Sequence, residues 1–109
     1  MFIVDTNPSF THKVIVQVPV DGGYEEQTLQ ATFAVIPAEV AAEFDLGGAS
    51  GSTDFLKRII LKLDDLVDKD KKPVPYNDAL RDQLIALPFM RLALSRAYFT
   101  GVSGARSGN

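Results

Sequence analysis

The chain has 109 residues, one histidine, no cysteine and a net charge of −3, a length that fits one modest hydrophobic core. Its 46% apolar and 23% charged residues are those of an ordinary globular protein and exclude a disordered or fibrous body. Six lysines and five arginines are scattered rather than gathered, so there is no basic stripe for nucleic acid, and the absence of cysteine removes disulfides and thiolate metal sites.

From the start, Phe2, Ile3 and Val4 make a short extended segment before the turn formers Asp5, Thr6, Asn7 and Pro8. Val14, Val16, Val18 and Val20 then alternate with Lys13, Ile15, Gln17 and Pro19, a period of two that sends four valines to one face of a strand. Asp21, Gly22 and Gly23 can turn the chain, and Leu29, Ala31, Phe33 and Val35 repeat the pattern on the way back. The alternation predicts an antiparallel β-hairpin over roughly 11–36. A lone hairpin is marginal in water, so helices must cover its valine face.

Pro37 opens a helix with Val40, Ala41 and Phe44 on its apolar side, ended by Gly47 and Gly48. The run from Gly47 to Ser52 reads as a flexible connector; no lysine follows its last glycine, so it fails the spacing of a phosphate-binding loop. Ser52 or Thr53 caps a long helix carrying Phe55, Leu56, Ile59, Ile60, Leu63, Leu66 and Val67 at three- and four-residue spacing. Its charges oppose the helix dipole, with Lys57 and Arg58 early and Asp64, Asp65 and Asp68 late, so either something offsets them or the helix stops sooner.

Past the proline-rich stretch Pro73, Val74 and Pro75, Asn77 caps a further helix with Leu80, Leu84 and Leu87 facing inward. Pro88 restarts the chain as the first residue of a last helix with little polar surface, which Gly101 ends. Phe89, Leu92 and Phe99 lie near one flank of that helix, Met90, Ala93, Ala97 and Tyr98 on another. Two apolar flanks call for either a central buried helix or a surface for another protein. Phe89, Met90, Leu92, Tyr98 and Phe99 are the candidate partner-binding residues. The whole is an α+β fold, a hairpin against three to four C-terminal helices, in one domain over 1–100 with a flexible tail over 101–109.

No chemistry-bearing constellation emerges. A calcium loop starting at Asp68 wants glycine sixth and glutamate twelfth, where Pro73 and Ala79 stand. His12 is the lone imidazole, and no serine sits in a nucleophile-elbow pattern. The acidic run from Asp64 to Asp70 reads as a solvated end or as a docking edge. The expectation is a protein that is not an enzyme and needs no cofactor or metal. No apolar run nears the roughly 20 residues of a bilayer span, and Met1–Thr6 is unlike a signal peptide, so no membrane and no export are expected.

The segments HKVIVQVPVDGG, ATFAVIPAEV, TDFLKRII, DLVDKDKKPVPYN and LPFMRLALSRAYFTGVSGARSGN, in this order over nearly the whole chain, resemble the small tail assembly chaperones of tailed phages and prophages. Two departures stand out: Lys71 and Lys72 where the connector usually has a glycine, and an end without lysine. The resemblance implies a non-enzymatic protein of the host cytoplasm, absent from the mature virion. It would keep the long tape-measure protein soluble until tail-tube protein assembles around it, acting alone or as a homo-oligomer. The alternatives are a small structural tail or head-tail joining subunit, or a host regulatory domain that binds another protein.

Overall fold

The computed structural model describes residues 1–104. Strands β1 (Ser9–Val20) and β2 (Gly23–Ala34) form the expected hairpin, set two residues earlier than the alternation suggests. They pair antiparallel with Val14 opposite Leu29 and Ser9 opposite Ala34, joined by Asp21 and Gly22, whose φ is +79°. Val14, Val16, Leu29, Ala31 and Phe33 are buried on one face, as a period of two requires. Thr11 and Thr32, also opposite each other, share a 2.8 Å hydroxyl hydrogen bond away from the core. Toward the turn the strands outrun that core, and Val20 and Tyr24 stand exposed.

Between β2 and the next strand the structure departs from the sequence reading. Helix α1 is a single turn, Ala38–Ala41, with Pro37 as its N-cap rather than its first residue. Val40, Ala41 and Phe44 do pack against the core. From Ala49 on, the expected flexible connector is already helix: α2 spans Ala49–Ile59 and its N-cap is Gly48, not Ser52 or Thr53. Its early start depends on Gly51, where a Cβ would overlap the Asp45 backbone, so the α1–α2 turn folds tightly onto the helix.

The long helix predicted through Val67 stops at Ile59, and Ile60–Asp64 is a third strand, β3. It pairs antiparallel with β2, giving the order β1-β2-β3. The register shifts between Thr32, opposite Lys62, and Phe33, opposite Ile60, leaving Leu61 as the extra residue of a bulge. That extra residue puts buried Ile60 and Leu63 on one face although they are three apart, which is why a bulged strand imitates helical spacing. The charge conflict resolves with it. Lys57 and Arg58 lie in the last turn of α2, where cations are favourable, and Asp64 lies at the end of β3.

After β3 the chain makes a short bridge, Val67 to Pro73, and enters α3 (Asp78–Ile85). Asn77 caps it as expected, accepting the Leu80 N–H at 2.8 Å. Helix α4 (Pro88–Ser103) starts at Pro88, also as expected. It does not end at Gly101: it runs to Ser103, with Gly104 left-handed at the cap, so the start of the expected tail is helix. Gly101 serves contact instead, since a Cβ there would overlap the Phe10 ring. Helix α4 lies across β1 and also meets α2 and α3. Arg91 ties it to α2, donating to the Ala49 carbonyl at 3.0 Å and to the Thr53 hydroxyl. The result is a three-stranded antiparallel sheet with four mostly C-terminal helices, an α+β fold around one cluster of buried residues. The rest of the expected tail, 105–109, lies outside the described residues.

Candidate functional site: an open apolar groove

The two ends of the core are built from different residues. At one end, aromatic rings close the space between sheet and helices. Tyr98 lies 5.5 Å from Phe33 and 5.4 Å from Phe55, both edge-on, and Phe55 stacks on Phe99 at 5.6 Å. Edge-to-face and stacked rings fill volume with favourable quadrupole contacts. The Tyr98 hydroxyl also accepts the buried Ile36 N–H at 3.3 Å.

The five candidate residues of α4 therefore separate. Tyr98, only 3% exposed, belongs to the core and is withdrawn from any surface, because its ring is enclosed by Phe10, Phe33, Phe55 and Phe99. Leu92 and Phe99 are open to solvent at 59% and 43%. Phe89 is half-buried and Met90 nearly buried, and both face the other end of the core.

That other end is a groove of about 380 Å³. Its sheet side is Val16, Val18 and Leu29, and α3 contributes Leu80 and Leu84. The chain after β3 supplies Leu66, Val67 and Val74, and Leu87, Phe89 and Met90 complete it. Only Gln27, Thr28 and Asp65 are polar. Of the three leucines expected to face inward, Leu84 packs against the core, Leu80 is half-buried and Leu87 is exposed; all three line the open space, while Ile85 is the α3 residue that is fully buried. An apolar concavity of this size is the form that binding sites for apolar groups take.

The sequence reading missed Val67 and Val74 as site residues. They are the apolar positions flanking the charged connector, brought together by the Val67–Pro73 bridge. The acidic run beside them is partly structural. Asp68 accepts the N–H groups of Asp70 at 2.8 Å and Lys72 at 3.0 Å, which shapes the turn. In that turn Lys71 takes φ +65°, a left-handed conformation that favours glycine.

Electrostatics mark one other place. Arg81, on α3, bonds Asp82 at 3.0 Å and pairs with Asp78 at 3.5 Å. Burial works against its charge, but Asp82 and Asp78 outweigh this and hold it protonated more firmly than usual. Burial also pushes the nearby Tyr76 phenol above its ordinary value, Asp78 and Asp82 adding to the shift and Arg81 opposing it. The Tyr76 hydroxyl is buried beside the Arg81 guanidinium. Among the described residues no three or more histidine, aspartate or glutamate side chains converge as a metal site would need. No helix among them is long and apolar enough to cross a membrane.

Compared with protein-family models, curated proteins and solved structures, the chain matches none.

Proposed function

We propose that this protein is a tail assembly chaperone that holds apolar segments of a tape-measure protein in its groove and so keeps that long chain soluble in the host cytoplasm until tail-tube protein encloses it. The carrying observation is the open apolar groove between hairpin, connector, α3 and α4. Aliphatic walls with few polar groups accept many apolar sequences in turn, as coating one long client demands. In this reading the protein is a binding module without catalytic residues, works on protein alone, and is absent from the finished virion.

The test is co-expression with the long coiled-coil protein encoded beside it, measuring how much of that protein stays soluble and co-purifies. The wild-type chain is expected to hold it in solution. Val67→Asp and Leu87→Asp, which put a charge in the groove at partly exposed positions, are expected to lose it while circular dichroism is unchanged. An insoluble client with the wild-type chain alone in the supernatant would overturn the reading. The projecting half of the hairpin favours a second one, a small structural tail or head-tail joining subunit that engages a neighbour through its strands. Finding the chain by mass spectrometry in purified particles would select it.

A further inference from the structure

Beside the groove the sheet is incomplete. Strand β3 runs next to β2 only from Gln30 to Phe33, and the chain then leaves the sheet at Asp65, whose φ is +63°. From Gly23 to Leu29 the outer edge of β2 has no strand beside it among the described residues. Gln27, Thr28 and Leu29 of that open edge line the groove. An unpaired edge above an apolar concavity is what an added strand needs: backbone hydrogen bonds along the edge, and alternate side chains sent into the hollow.

The chain carries a segment of matching chemistry. Phe2, Ile3 and Val4 are 85%, 82% and 81% exposed, outside any helix or strand, and all three types favour strands. Three consecutive apolar side chains almost wholly in water are a liability until something covers them. As one strand they do not fit their own groove, because Val4 as well as Phe2 would have to enter it. Five residues from Val4 to Ser9 span at most about 18 Å. Ser9 pairs with Ala34, and the lane beyond Leu29 lies about five residues along β2 and two strand spacings across it, roughly 20 Å away in a straight line that β3 already occupies.

We infer that Phe2–Val4 of one copy adds as a short strand to the open edge of β2 in a second copy, with Phe2 and Val4 seated in the groove. The occupant of the groove in the absence of a client is therefore this chain itself. The inference does not rest on the chaperone reading, since segment, edge and groove all belong to the isolated protein. A client that enters the groove must displace the segment.

The absence of cysteine gives a clean test. Val4→Cys and Val67→Cys chains, each full length, are mixed and mildly oxidised. The expected result is a mixed disulfide at least tenfold above the dimer that either variant forms alone. In sedimentation, the wild-type chain is expected to self-associate with rising concentration, and a Phe2→Asp/Val4→Asp double variant to stay monomeric with an unchanged circular dichroism spectrum. Disulfides only between like variants, a wild-type chain that remains monomeric at millimolar concentration, or a double variant that associates like wild type would each overturn it. Because no client is present, these outcomes are separate from client solubility. The double variant, its groove left open, is expected to hold a client at least as well as the wild-type chain.

Discussion

The aromatic end and the groove end of this core are covered by the same helix and the same hairpin, yet one is closed and the other open. At the closed end, Phe10, Phe33, Phe55 and Tyr98 interlock, and Gly101 lets α4 come down onto the Phe10 ring. At the open end the walls are mostly branched aliphatics, joined by Phe89 and Met90, and they leave a space between them. Under the proposed function, the contrast separates stability from binding within one small domain: rings anchor the helix, and the hollow beyond them is left for a client.

Breaking the closed end should have the largest effect. Phe33→Ala removes a fully buried ring and is expected to destabilise by about 3–5 kcal/mol, read as a lower denaturant midpoint. Gly101→Ala drives a methyl group into Phe10 and is expected to lose about 1–3 kcal/mol in spite of alanine's better helix propensity. Tyr76, packed against the core, gives the comparison a pH axis. Its phenol is raised in the fold, so the folded chain keeps a proton that the unfolded chain gives up as pH climbs past about 10. Stability should fall through that window, and less so in Tyr76→Phe, as urea titrations at pH 9 and 11 would show.

Around the groove the stability effects should be small or favourable. Lys71→Gly relieves a left-handed lysine and is expected to stabilise by about 0.5–1 kcal/mol, since the relief exceeds the extra entropy glycine gives the unfolded chain. Val67→Asp, at a position 55% exposed, should move the midpoint by less than about 0.5 kcal/mol while abolishing client solubility. If it instead unfolded the chain, the division between the two ends would be wrong.

The hairpin, the Asn77 cap and the Pro88 start of α4 were legible in the sequence because each is a local signal: alternation, a side-chain acceptor, a fixed φ. Strand β3 was hidden because the Leu61 bulge spaces Ile60 and Leu63 like helix residues, and only the reversed charges of Lys57, Arg58 and Asp64 betrayed the boundary. Gly51 and Gly101 read as linker and stop when each is a point of close approach, which depends on Asp45 and Phe10, partners that spacing does not reveal. Of the site, Phe89 and Met90 were found from the apolar α4. Tyr98 was drawn into the same set because the helix is apolar on two sides, and which side is covered is decided by the sheet.

The contact between Phe10 and Gly101 joins positions roughly ninety residues apart. Each doubling of such a loop adds only about 0.6 kcal/mol of closure entropy, so the distance matters less to the final balance than to the order of events. The hairpin, whose strands are joined by Asp21 and Gly22 alone, can form in microseconds, whereas the rings close only when α4 arrives. Native-state hydrogen exchange should follow the same division. Amides opposite Gly101 should exchange with global unfolding, and those near Tyr24 should be replaced orders of magnitude sooner.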